Sequence, residues 1–162
     1  MAILQSNPDG VSSGDELVSN LIEETTVNNP VEVIETVIAS LDSDQTAMVN
    51  RSEEGYLWKF KYGTVEVLVQ LTGLADEDSI TVWSSVLKLP AKNEPQLMRK
   101  LLEMNWASTL EARFAILNGE VVVVSTRSLT DVSPSEISRA ITIVATLADD
   151  NDELLQAEFG AT

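Results

Sequence analysis

The chain of 162 residues contains no cysteine and no histidine. The first absence excludes disulfides and thiolate metal sites. The second removes the commonest general base and the commonest protein metal ligand. Basic residues are scarce too: ten Lys and Arg stand against 26 Asp and Glu, a formal net charge of −16. That balance repels phosphate backbones and anionic lipid surfaces, so neither nucleic acid nor a membrane is an expected partner. No stretch approaches the roughly 20 apolar residues that span a bilayer. The opening residues have neither the basic nor the apolar region of a secretory signal. The expected location is the cytoplasm. Glycine occurs seven times, and never as a phosphate-binding loop.

The negative charge sits at the ends. Residues 1–50 hold nine acids and no base, and residues 140–162 hold five acids and no base. The stretch 51–139 holds twelve acids and all ten bases. Two clusters are dense: Asp76-Glu77-Asp78, and Asp149-Asp150-Asn151-Asp152-Glu153. Either has oxygen ligands for a hard cation, but neither has the spacing of a calcium-binding EF-hand loop. They read as solvated charge, and no metal or cofactor is expected. Ser84, Ser85, Ser125 and Ser128 have no histidine to activate them and lie in no nucleophile elbow. Nothing in the sequence points to catalysis.

What is present is a patterned core. Residues 1–13, rich in Ser, Gly, Asn, Pro and Asp, read as a disordered start. Within Asp15–Thr26, Leu17, Val18, Leu21 and Ile22 are spaced as in a short helix. Residues 1–28 are therefore taken as a flexible extension and 29–160 as one domain. Asn29-Pro30 starts a helix over 30–41, with Val31, Ile34, Ile38 and Leu41 on one side. Thr46–Arg51 is compatible with a short strand. Gly55–Tyr62 alternates, with Tyr56, Trp58, Phe60 and Tyr62 on one face. Thr64–Thr72 does the same with Val65, Val67, Val69 and Leu71. A turn at Tyr62-Gly63 predicts Phe60 opposite Val65 and Lys59 opposite Glu66. Ser79–Leu89 is a further strand, ended by Pro90.

A second helix starts at Asn93-Glu94-Pro95, with Leu97, Leu101 and Met104 on one face and Met98 and Leu102 beside them. Asn118-Gly119 then marks a tight hairpin, because both residues tolerate positive φ. It predicts Leu117 opposite Glu120, Ile116 opposite Val121 and Phe114 opposite Val123. Ser133-Pro134-Ser135-Glu136 is a capping box with proline in the first turn. The helix it starts runs to about Glu158, with one stripe through Ile137, Ile141, Val144, Ala148 and Leu155. A second stripe runs through Ala140, Ile143, Leu147 and Leu154. The expected fold is α+β, a twisted antiparallel sheet with helices on one face, in the order α-β-β-β-α-β-β-α.

The opposite sheet face is the candidate site. A solvent-facing antiparallel sheet reads as polar, and Lys59, Glu66, Gln70, Thr81, Ser85, Glu111, Arg113 and Thr126 fit that rule. Leu57, Leu68, Trp83, Leu87, Ala115, Val122 and Val124 interrupt it. Such a patch marks a protein interface or is covered by another part of the chain. Leu57, Leu68, Trp83, Leu87, Val122 and Val124 are the candidate interface residues.

Several of these stretches carry a resemblance. Tyr56–Thr64 (YLWKFKYGT), Ile80–Leu87 (ITVWSSVL), Leu101–Trp106 (LLEMNW), Ala112–Ile116 (ARFAI) and Val121–Arg127 (VVVVSTR) resemble a YbjN-domain protein. The helix–hairpin–helix arrangement is similar to the Tir-chaperone (CesT-like) class of type III secretion chaperones. The resemblance covers about residues 30–158. It implies the secretion-chaperone-like fold, often dimeric. For the chaperones it implies binding of an extended partner segment, and for YbjN-type proteins a regulatory or sensory part. It supplies no catalytic residue. The expectation is a non-enzymatic protein-binding module, chaperone-like or regulatory, acting as a homodimer with a protein client or regulatory partner. A structural subunit of a larger assembly is the first alternative, and a metal-dependent small-ligand enzyme the second.

Overall fold

A computed structural model describes residues 29–161. The short helix expected at Asp15–Thr26 lies outside the described residues. The order is α1 (Pro30–Leu41), β1 (Met48–Ser52), β2 (Gly55–Tyr62), β3 (Val65–Leu71) and β4 (Ser79–Lys88). Then come α2 (Glu94–Ala107), β5 (Arg113–Leu117), β6 (Glu120–Ser128) and α3 (Pro134–Phe159). All strands join one antiparallel sheet in the order β1-β2-β3-β4-β6-β5. The expected α+β fold is found. The compatible strand at Thr46–Arg51 is real, as β1, so four strands rather than three precede α2.

Local chemistry explains the element ends. Asn29 caps α1 by accepting the Glu32 N–H at 3.3 Å. Ser133 Oγ accepts the Glu136 N–H, and Glu136 Oε2 accepts the Ser133 N–H, both at 3.2 Å. The capping box is therefore complete. Asn118 and Gly119 have φ of 51° and 76°, the two positive values of a type I′ turn. The β5–β6 register is the expected one, with Phe114 opposite Val123 and Leu117 opposite Glu120.

The β2–β3 register differs from expectation by two residues. Phe60 lies opposite Val67, Trp58 opposite Val69, and Lys59 opposite Leu68. The turn residues are Gly63 and Thr64, because Gly63 takes the positive φ of 56°. A slip of two keeps every side chain on its face, so the facial assignment survives. Lys59 and Glu66 still pair at 3.2 Å, diagonally.

The core lies between the inner sheet face and the helices. Trp58, Phe60, Val67, Val69, Leu71, Ile80, Val82, Phe114, Val121 and Val123 are buried there. On α3, all five residues of the first stripe are buried. Of the second stripe, Leu154 is 66% exposed, so α3 has a narrower apolar arc than expected. α1 packs against α3, and its Glu35 accepts from Trp58 Nε1 at 3.3 Å and from Arg51 at 3.2 Å. α2 buries Leu97 and Leu101, and its Lys100 pairs with Glu158 of α3 at 2.7 Å.

Two acidic clusters have structural partners. Asp78 accepts from Thr72 Oγ1 and from the Ala75 N–H, both at 3.0 Å, closing the β3–β4 loop. Asp149 accepts the Thr64 N–H at 2.9 Å and Asp152 the Thr64 hydroxyl at 2.7 Å. These bonds latch the β2–β3 turn to α3. Among the described residues, no three or more Asp and Glu side chains converge as a metal site. None of the described helices is long and apolar enough to cross a membrane.

Candidate protein-interaction surface

Strand pairing builds the outer face row by row. Met48, Lys59, Leu68, Trp83, Val124 and Arg113 are successive cross-strand partners over β1, β2, β3, β4, β6 and β5. One neighbouring row holds Asn50, Leu57, Gln70, Thr81 and Thr126. Another holds Ser85, Val122 and Ala115. Leu68, Trp83 and Val124 are thus contiguous across the three central strands. All three are partly exposed, as is Leu57 one row away.

Two of the candidate residues depart from expectation. Leu87 is core. A bulge between Ser85 and Leu87 makes Leu87 the partner of inward-facing Val121, and its exposure is 4%. An inserted residue reverses the alternation beyond it, which no reading of period two through β4 would detect. Val122 pairs with Ser85 and Ala115 and so belongs to the outer face, but it is only 3% exposed. Glu111, expected among the outer polar residues, turns instead to Arg139 of α3, at 2.6 Å. That hydrogen bond, with the positive charge behind it, holds the Glu111 carboxyl below its ordinary range.

The charge on the outer face is unlike that of the chain. Its strand residues include Lys59, Lys61, Lys88 and Arg113 against only Glu66 and Glu120. The local balance is +2 in a chain of net −16.

A second apolar surface went unread in the sequence. Trp106 is 93% exposed, and Leu102, one turn earlier on the same side of α2, is 69% exposed. Leu110 in the following loop, and Ile116 and Leu117 on β5, are exposed as well. Leu102 was expected beside the buried stripe, and Ile116 pairs with buried Val121 as expected yet is itself exposed. The available signal was the spacing: Leu102 and Trp106 are four apart, off the stripe of Leu97 and Leu101. Among the described residues β5 is an edge strand with a neighbour on one side only, which leaves Ile116 57% exposed.

The Asn105 side chain occupies part of that edge. It accepts the Phe114 N–H at 2.7 Å and donates to the Phe114 carbonyl at 3.3 Å. At the opposite edge, among the described residues, β1 has no neighbour beyond it, and Met48 and Val49 are 63% and 45% exposed.

Comparison with known proteins agrees with this architecture. No curated protein sequence matches the chain. A chain in the crystal structure of the ExsC–ExsE complex superposes with a TM-score of 0.56 at 13% identity, covering 83% of this chain and 96% of that one. A chain in the structure of the HopA1–SchA chaperone–effector complex gives 0.51 at 12% identity, covering 84% and 97%. At such identities the likeness is one of fold, and it is the chaperone-like fold expected. The sequence itself matches the YbjN family profile, described as "Putative bacterial sensory transduction regulator", over residues 30–157. That match takes in every helix and strand from α1 to β6 and nearly all of α3, so the chain belongs to the YbjN family.

Proposed function

We infer that the protein is a non-enzymatic protein-binding module, chaperone-like or regulatory, that works in the cytoplasm as a homodimer. The observation that carries this reading is the apolar row Leu68–Trp83–Val124 on a sheet face against which no described helix packs. A sheet face that meets only water has no physical need for a tryptophan at its centre. Leu57 extends the exposed row, and the surrounding lysines give it polar rims, as at protein interfaces. The fold shared with one member of a chaperone–effector complex supports a protein as the partner. The dimer surface in this reading is Leu102, Trp106 and Leu110, the most exposed large apolar side chains among the described residues.

The test is affinity capture of the tagged full chain from its native cell extract, compared with Trp83→Glu. A near-stoichiometric partner lost in the variant, with circular dichroism unchanged, supports the reading. Equal capture by both proteins removes the outer face from the binding site. Trp106→Glu should halve the mass in solution if α2 forms the dimer.

A further inference from the structure

We propose that the outer sheet face takes an acidic amphipathic helix of a client protein, lying across the strands over Leu68, Trp83 and Val124. This rests on the reading of that face as the binding surface, and it names the chemistry of what binds there.

Unpaired positive charge selects an acidic partner. Acids outnumber bases 26 to ten in this chain, so a base has many possible partners within it. Six of the ten bases do form ion pairs. The other four, Lys61, Lys88, Lys92 and Arg113, have no ion-pair partner among the described residues. Three of those four, Lys61, Lys88 and Arg113, stand on the outer face. Lys61 lies opposite Glu66, but Glu66 pairs with Lys59 at 3.2 Å. Arg113 lies opposite Val124 and is exposed. A partner's carboxylate gains an ion pair at either place without breaking one. At physiological salt the Debye length is about 8 Å, so a bound acid meets the local +2 rather than the net −16 of the chain. A second copy of the same face would oppose positive to positive.

Strand spacing sets the form of the partner. Strands lie about 4.8 Å apart, and Leu68, Trp83 and Val124 are cross-strand partners on the adjacent strands β3, β4 and β6. Successive turns of an α-helix rise about 5.4 Å. An apolar stripe at helical spacing therefore sets one side chain over each of the three. In an extended chain the side chains of one face recur at about 6.7 Å and fall out of step. From β2, which carries Lys61, to β5, which carries Arg113, is four strand steps, or about 19 Å. A helix covers that distance in about 13 residues, with its apolar stripe in the middle and its carboxylates at both ends.

The probe is a fluorescein-labelled synthetic helix of about 13 residues, with a leucine stripe and a pair of glutamates at each end. It is titrated into the full chain and read by anisotropy, beside twins carrying glutamine or lysine in place of glutamate. The expected order of affinity is glutamate, glutamine, lysine, and the glutamate peptide should weaken several-fold from physiological to high salt. Lys61→Glu/Arg113→Glu changes two exposed side chains and should reverse the order. Trp83→Glu should weaken all three peptides, with circular dichroism unchanged in both variants. No binding, a lysine peptide bound as tightly as the glutamate one, or an order unchanged in Lys61→Glu/Arg113→Glu overturns the proposal. So does a fall in mass in solution in that double variant, which would make the face a contact between copies. The two readings fail separately. Client capture that needs Trp83 but tolerates Lys61→Glu/Arg113→Glu leaves the surface and removes the acidic helix. Charge-ordered peptide binding with capture indifferent to Trp83 leaves the acidic-helix site and removes the captured client from it.

Discussion

Asn105 and Phe114 are joined by two hydrogen bonds, from the Phe114 N–H at 2.7 Å and to the Phe114 carbonyl at 3.3 Å. The amide side chain does there what a seventh strand would do: it satisfies both outward-pointing groups of one residue on edge strand β5. Asn105→Ala should cost about 1–3 kcal/mol, the usual penalty for leaving partly buried polar groups unpaired. Asn105→Asp, which keeps the acceptor and loses the donor, should fall between. Urea unfolding of the three proteins measures the order. The alanine variant should also self-associate more at high concentration, since open edges pair.

The three tryptophans should behave as three environments. Trp58 is 2% exposed, Trp83 is partly exposed and Trp106 is 93% exposed. Single-tryptophan variants quenched with acrylamide should rank Trp106 first and Trp58 last in dilute solution. Quenching of Trp106 should fall as the concentration rises if α2 forms the dimer. Trp58→Ala should destabilise by about 3–5 kcal/mol, as large-to-small core changes do. Trp83→Ser should cost far less.

Asp42 gives an acid dependence. Burial pushes its carboxyl up, but bonds from Thr46 and from the Ala47 N–H outweigh this and hold it below its ordinary value of 3.8. The Thr46 hydroxyl donates at 2.7 Å and the Ala47 N–H at 2.8 Å. Thr46 Oγ1 in turn accepts the Lys61 N–H at 2.8 Å, so the carboxylate ties the end of α1 to β1 and β2. A depressed folded value means that stabilisation is complete above the unfolded value and is lost as pH falls through the folded one. The urea midpoint should therefore drop below about pH 4. Asp42→Asn should be less stable at pH 7 but show a shallower acid slope.

Ser133 should matter through both halves of its capping box. Ser133→Ala removes the acceptor for the Glu136 N–H and should cost about 1 kcal/mol, and Ser133→Gly less. Glu136→Gln keeps the reciprocal bond to the Ser133 N–H but weakens the exposed pair with Arg127, so its effect should be small and reduced by salt. Thermal unfolding at two salt concentrations separates the two.

Much of the fold was legible because its signals are local. Asn29-Pro30 and the Ser133 capping box act within one helical turn, so α1 and the start of α3 fall where their residues place them. Asn118-Gly119 sets the β5–β6 register through two backbone angles. The β2–β3 register was harder, since Tyr62-Gly63 and Gly63-Thr64 both put glycine in the turn. Both registers also bring Lys59 near Glu66. The candidate surface was legible only in part. Leu57, Leu68, Trp83 and Val124 alternate as an outer face should, but the bulge that turns Leu87 inward has no period to announce it.

Apart from β1, the sequence by itself determined which of the described segments are helices and strands, where the caps and the Asn118-Gly119 turn lie, and which side of each regular strand is apolar. Those properties follow from dihedral preference and from periods of two and 3.6 residues, which any window of the chain contains. The tertiary structure decided that β4 lies beside β6, that Leu87 is core and that Trp106 stands in solvent. It also gathered four of the ten basic side chains on one sheet face. Each of these depends on which distant segments meet. A side chain's exposure is fixed by what covers it, and that neighbour lies elsewhere in the chain.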